Sequence, residues 1–252
     1  MDLAEIEKRE EAERTFHDRK FSCQRKLNYD DLGFKNNIFD SLLAEIGDIE
    51  DKKVLEFSCG DGWLTKILAS KGAEVWTFDI SREAIRRTES RLRNTNFKYR
   101  VHIDEMAAEN LTYGSEMFDL VIGNAILHHV DLELCIKEIK RVLKRGGKAY
   151  FTEPLGHNPL LNLYRKLTPR LRSPDEKPLM FEQFGVINGQ FEKFEHKEYY
   201  LTTLLALVCY FLGAKSLLLR VRDMLFKVDQ KILHHFPATK KYCWYSLLMM
   251  KK

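Results

Sequence analysis

V-L-E-F-S-C-G-D-G at residues 54–62 joins a short apolar run to two glycines one residue apart, and its reading decides the fold. A run this short and this apolar suits a strand buried on both faces, the situation of a parallel sheet. Gly60 and Gly62 then allow a sharp bend into a helix whose apolar residues, Leu64, Ile67 and Leu68, share one side, and Lys71-Gly72 ends that helix. Upstream, Leu42, Leu43, Ile46 and Ile49 recur at helical spacing, so a helix leads into the strand.

The alternation continues downstream. E-V-W-T-F-D at 74–79 reads as a second strand, and Ser81 is the expected N-cap of a helix reaching about Arg93, with Glu83 in its first turn. A third strand is expected near F-K-Y-R-V-H-I at 97–103 and a fourth at F-D-L-V-I-G-N, 118–124. Asp131 can cap a helix carrying Leu132, Cys135, Ile136, Ile139, Val142 and Leu143, which Gly146-Gly147 is expected to stop before strand-like K-A-Y-F-T-E at 148–153. Strands alternating with helices imply right-handed crossovers and an α/β fold with helices on both faces of a parallel sheet. After Pro154 the rhythm fails. Four prolines fall between 155 and 185, after which a strand at 190–200, a helical insertion at 201–235 and a closing strand at 242–250 are expected.

Ligands of open parallel sheets bind beyond the carboxyl ends of the strands. At the first such end, Gly60 and Gly62 leave room beside bare main chain and the free N-H groups of a helix start. Asp79 ends the second strand, where a carboxylate can accept hydrogen bonds from both hydroxyls of an adenosine ribose. The third glycine of a dinucleotide fingerprint is absent, its place taken by Trp63 or Thr65 depending on the register, which disfavours NAD. S-adenosylmethionine (SAM) has no pyrophosphate, and its amino group would gain from a carboxylate such as Glu56.

Four stretches in this order, V-L-E-F-S-C-G-D-G, V-W-T-F-D-I-S, F-D-L-V-I-G-N-A-I-L-H-H-V and L-K-R-G-G-K-A-Y-F-T-E-P, resemble the successive motifs of class I SAM-dependent methyltransferases. They span about residues 50–154 and are similar to the small-molecule branch that includes the ubiquinone and menaquinone methyltransferases. The resemblance implies a Rossmann-like, mostly parallel seven-stranded sheet with a helical C-terminal insertion or lid. It implies SAM as cofactor and S-adenosylhomocysteine as product. Position by position, it assigns Glu56, Ser58 and Gly60 to the methionine side, Asp79 to the ribose and Ile80 to the adenine, with Gly62 also among the cofactor-binding residues. Ala107 and Ala108 would face adenine with main chain or through Glu109, and Asn124 would flank the methionine portion. Two departures stand out: Ser58 replaces a glycine, and Ala107 falls where the family has an aspartate. Phe16, His17 and Arg19 lie in a segment that folds over SAM in similar enzymes, although the alternating charges of residues 1–20 also read as an exposed helix.

Methyl transfer from a sulfonium needs alignment of the acceptor and, for a hydroxyl, removal of its proton. His128 and His129, just past the fourth strand, are the candidate bases. The alternative is structural: one histidine packed under the next helix, the other bonded to Asp131 or main chain.

The five cysteines, Cys23, Cys59, Cys135, Cys209 and Cys243, are widely spaced without a C-x-x-C pair, so neither disulfides nor a metal site is expected and a reducing, cytoplasmic setting is. The N-terminus lacks the apolar stretch of a signal peptide. Residues 154–252 carry sixteen basic against eight acidic residues, whereas the rest is net negative. That basic half can attract a phosphorylated acceptor or an anionic membrane surface. Nucleic acid is disfavoured, since no zinc module or stacking-aromatic signature is present. Residues 199–214 are uncharged but too short for a confident span. Joined to Arg220, Arg222, Lys227 and Lys231, they suggest an apolar pocket or interfacial patch rimmed with positive charge that suits an amphipathic acceptor such as a prenylated or acylated molecule. Arg165, Lys166, Arg170 and Arg172 are candidates for binding an acceptor's anionic group.

The expected organisation is one domain: a helical cap at 1–50, a SAM-binding core at 51–154, and a lid with closing strands at 155–252. The expected function is methyl transfer to a small molecule. The competing reading, a catalytically silent partner subunit on the same fold, is permitted by Ser58 and Ala107 and opposed by Gly60, Gly62 and Asp79.

Overall fold

The computed structural model describes residues 3–22, 33–173 and 176–252; Cys23 and Pro174, both considered above, lie outside them. Seven strands form one sheet in the order β3-β2-β1-β4-β5-β7-β6. These are β1 (Lys53–Phe57), β2 (Glu74–Asp79), β3 (His102–Glu105), β4 (Phe118–Asn124), β5 (Leu143–Pro154), β6 (Lys193–Tyr199) and β7 (Tyr245–Lys251). The first five pair in parallel, while β7 enters antiparallel between β5 and β6. Two apolar clusters pack on the opposite faces, one around Leu55, Phe57, Val121 and Phe151, the other around Val54, Val75, Leu120 and Ile122. Neighbouring residues along one strand thus belong to different cores, which is why the central strands read as continuous apolar runs. This is the Rossmann-like class I methyltransferase fold.

The capping residues perform as their chemistry dictates. Helix α4 (Arg82–Leu92) starts at Ser81, whose hydroxyl accepts from Ala84 N, and α5 (Leu132–Val142) starts at Asp131, which accepts from Leu134 N. Helix α2 (Asn36–Ile46) turns Ile38, Leu42 and Ile46 inward ahead of β1, and α3 (Trp63–Ser70) follows the glycine bend.

Three expectations need correction. The third strand begins at His102, not near 97, because Trp76 of β2 stacks on His102 with ring centroids 4.7 Å apart and the register places Trp76 opposite His102. Phe97 and Val101 instead pack half-buried before the strand. Helix α5 ends at Val142, four residues ahead of Gly146, because Leu143 already pairs with Phe118; Gly146 lies in the irregular start of β5 with φ +72°. Finally, the charged N-terminal helix α1 (Leu3–Ser22) is not simply exposed. It lies across the carboxyl end of the sheet: Asp18 accepts from Ser81 Oγ (2.6 Å) and Glu83 N (3.2 Å), Arg14 pairs with Glu105, and Arg9 pairs with Glu109.

The segment after β5 contains α6 (Pro159–Leu167), α7 (Phe184–Asn188), α8 (Leu207–Phe211) and α9 (Lys215–His235). The apolar 199–214 stretch is divided among the end of β6, a 3-10 turn and α8. Among the described residues no helix is long and apolar enough to cross a membrane.

Candidate functional site

A cavity of about 540 Å³ opens between the carboxyl ends of β1, β2 and β4 below and α1 above. The bend after β1 is its floor. Ser58, Gly60 and Gly62 have φ of +74°, +54° and +76°, and Cys59 N and Gly62 N are anchored on Phe78 O and Cys59 O, each at 2.8 Å. The two glycines differ in purpose. A Cβ on Gly62 would stand 2.8 Å from Thr88 Cα, so this glycine lets α3 pack on α4, and it does not line the cavity. A Cβ on Gly60 would meet only Phe21 Cζ at 3.9 Å, and Gly60 does line the cavity.

Asp79 holds this bend in shape. Its Oδ2 accepts from Ser58 Oγ at 2.8 Å and Gly60 N at 3.0 Å, and its Oδ1 accepts from Ser81 N at 2.9 Å. Beside it, Glu56 is buried and accepts from Thr65 Oγ1. Burial, opposed by the Thr65 and Thr77 hydroxyls and reinforced by Asp79, raises the Glu56 carboxyl to about 8. Ile80, Ala108, Glu109 and Asn124 line the same space, whereas Ala107 does not. Glu109 is committed to Arg9 and to Asp131 N, tying α1 to the start of α5. Asn124 Oδ1 accepts from Thr152 Oγ1 at 2.6 Å, which leaves its NH2 for the cavity side.

Both histidines are buried at the cavity wall, and neither bonds Asp131. His128 Nδ1 is 2.7 Å from Glu153 Oε2, while Glu153 Oε1 accepts from Ile126 N and Leu127 N. Glu153 is fully buried near the end of β5, and the sequence reading gave it no role: its partner lies 25 residues away, and only the β4–β5 register brings them together. Burial pushes His128 down and Glu153 up, which favours the uncharged imidazole with Nε2 left for the cavity. His129 takes different company, with Nδ1 near Ser173 Oγ and Glu13. Glu13 of α1 and Glu176 of the segment between α6 and α7, which also line this cavity, were likewise missed. Alternating charges read as a solvated face, and nothing local marks Glu13 as buried.

The basic residues after β5 divide. Arg222 is buried, not part of a rim: it bonds Asp223 and Gly33 O. Arg165 donates to Asn162 and Leu155 O, and Arg172 to Thr168 while pairing with Glu176. Lys166, Arg170, Arg220, Lys227 and Lys231 are exposed.

Sequence and fold both resemble one class, the SAM-dependent class I methyltransferases. Residues 55–151 match a family model described as a methyltransferase domain. An uncharacterized methyltransferase of Mycobacterium bovis is 33% identical over 110 residues, 43% of this chain and 54% of that protein. A ubiquinone biosynthesis O-methyltransferase of Idiomarina loihiensis is 31% identical over 137 residues, 54% of this chain and 53% of that one. The chain thus spans about half the length of the curated relatives it matches. Among solved structures, a Haemonchus contortus phosphoethanolamine N-methyltransferase 2 in complex with phosphomonomethylethanolamine and S-adenosylhomocysteine superposes with TM-score 0.62 at 18% identity, over 84% of this chain and 52% of that one. A SAM-dependent methyltransferase of Mesorhizobium loti gives 0.57 at 14% identity, over 84% and 96%.

Proposed function

We propose that this chain is a SAM-dependent methyltransferase acting on a small amphipathic acceptor, with His128 as general base. The observation that carries the reading is the convergence of Glu56, the 58–60 bend, Asp79 and His128 on one cavity. The residues fit the cofactor. An ammonium group beside the buried Glu56 would favour its carboxylate form, Asp79 would exchange its weak Cys59 contact for a ribose hydroxyl, and Asn124 offers an amide at the methionine side. When bound, SAM supplies a methyl group already activated by its sulfonium. The protein's own share is to hold Nε2 of His128 toward the acceptor through the Glu153–Nδ1 bond and to exclude water beneath α1. His129, engaged by Ser173 and Glu13, is the less favoured base.

The acceptor's amphipathic character is supported by the lid surface. Leu160, Leu163, Tyr164 and Leu167 form an exposed stripe at helical spacing along α6, which buries none of its residues. Leu205, Val208, Phe211 and Leu212 add a second exposed group at α8, and exposed Lys166 on α6, Arg170 just beyond it, and Arg220 and Lys227 on α9 supply positive charge. Apolar stripes with basic flanks rest on anionic lipid surfaces, where a lipid-like acceptor would be met.

Calorimetric titration with SAM, S-adenosylhomocysteine and NAD, repeated on Asp79→Ala, tests the cofactor assignment. Binding of the first two, weakened by the substitution, is expected. Absence of SAM binding overturns the enzyme reading and favours a silent partner subunit.

A further inference from the structure

Three ligating side chains converge where α1 crosses the segment after β4. Glu13 and His17 stand one helical turn apart on α1, and His129 meets them from below. The carboxylate oxygen Oε2 of Glu13 is 3.3 Å from His17 Nε2 and 3.2 Å from His129 Nδ1. Glu13 is only 5% exposed, yet neither of its oxygens has a hydrogen-bond partner among the described residues. The two imidazole nitrogens stand beside the carboxylate as ion-pair neighbours, and neither contact meets the geometric criteria of a hydrogen bond. A buried carboxylate in that condition calls for a cation.

The spacing fits a metal ion better than a hydrogen bond. Two donor atoms each bonded at about 2.1 Å to one ion stand about 3.0 Å apart at a right angle and about 3.4 Å apart at the tetrahedral angle. The observed 3.2 and 3.3 Å fall between these values. Ser173 Oγ, 3.1 Å from the same nitrogen of His129, places a further oxygen at this corner. His128, His129 and Glu176 form a second, overlapping donor set, with His129 common to both. The orphaned carboxylate of Glu13 favours the first set. Two imidazoles and one carboxylate suit zinc, iron, cobalt or nickel, and they suit magnesium or calcium poorly.

We infer that Glu13, His17 and His129 bind one divalent transition-metal ion, which ties α1 to the wall of the cavity. This site does not rest on the methyl-transfer reading, and the absence of C-x-x-C spacing in the sequence has no bearing on a histidine–carboxylate set.

The test uses the untagged full chain, treated with chelator and dialysed, without SAM. Zn2+ is titrated calorimetrically against a competing weak chelator, and Co2+ binding is followed by its visible absorption. One equivalent binding at about micromolar affinity or tighter is expected, with a rise in melting temperature. Glu13→Gln and His17→Ala should each weaken binding at least about tenfold, whereas Glu176→Gln should stay within about threefold; far-ultraviolet circular dichroism confirms that each is folded. Wild-type binding weaker than about 100 μM overturns the proposal, as does unchanged affinity in folded Glu13→Gln and His17→Ala, or a loss confined to Glu176→Gln.

Discussion

Replacing Ser58 with glycine should tighten binding of the adenosine-bearing ligand, against the ordinary expectation for removing a hydrogen-bonding side chain from a site. The reason lies in the Asp79 carboxylate. Ser58 Oγ, Gly60 N and Ser81 N already donate to it at 2.8, 3.0 and 2.9 Å. A carboxylate offers about four acceptor directions, and the weak Cys59 Sγ–H, 3.9 Å from Oδ2, takes the fourth, so one ribose hydroxyl replaces that weak contact while the diol brings two donors. In the native protein the second hydroxyl must displace Ser58, and a displaced hydrogen bond is worth about 0.5–1.5 kcal/mol net. Ser58→Gly removes that competition, and the affinity for S-adenosylhomocysteine should rise about three- to tenfold. The fold should tolerate the change. Ser58 holds φ +74°, a conformation costing a side-chain-bearing residue about 1–2 kcal/mol that glycine avoids, which roughly offsets the lost bond. Calorimetry with S-adenosylhomocysteine on both proteins, with melting curves alongside, reads both quantities. Equal or weaker binding by a normally folded Ser58→Gly protein would refute the reasoning.

Gly62→Ala should lower stability by about 2–4 kcal/mol, since its Cβ strikes backbone and its φ is unfavourable, whereas Gly60→Ala should cost only about 1 kcal/mol and act mainly on ligand affinity; urea unfolding separates the two. Glu56, raised to about 8 in the folded chain from an ordinary 4.5, contributes stability that is fully present below pH 4.5 and lost as the pH rises through 8. The melting temperature of Glu56→Gln relative to wild type should therefore increase from pH 5 to pH 8, and a constant difference would contradict the burial argument. His128→Ala should reduce turnover of a hydroxyl acceptor about a hundredfold or more while SAM affinity stays within about threefold, and full turnover eliminates His128 as base. Leu163→Glu with Leu167→Glu should abolish co-sedimentation with phosphatidylglycerol vesicles without altering the melting temperature, because both side chains are exposed; undiminished binding would place the membrane contact elsewhere.

The parallel half of the sheet was legible because its strands are short apolar runs and its helices begin at residues whose side chains cap them, Ser81 and Asp131. The edge strand β3 was displaced in the reading because its H-I-D-E is half exposed and lacks an apolar signature, while the preceding F-K-Y-R-V carries one. The start of β5 was hidden by an irregular pairing that uses Gly146 inside the strand. That β7 enters between β5 and β6 is not written in any local pattern. In the site, residues beside the glycine bend were accessible through their spacing, but Glu153, Glu13 and Glu176 were not. Each becomes significant only through a partner distant in the chain. Arg222 shows the converse: a basic residue assigned to a surface by composition is buried, with one bond to Gly33 O and two to its neighbour Asp223.

The unlike duties of Gly60 and Gly62 bear on how such chains diverge. A descendant that abandoned its small-molecule ligand would still have to bring α3 against Thr88, so Gly62 would persist under selection for folding alone. Gly60 would be held less firmly, because its Cβ would meet only Phe21 Cζ at 3.9 Å and the folding cost of a side chain there is confined to its φ of +54°. Retention of the first glycine of the pair therefore carries more information about the ligand than retention of the second, whose place is fixed by packing.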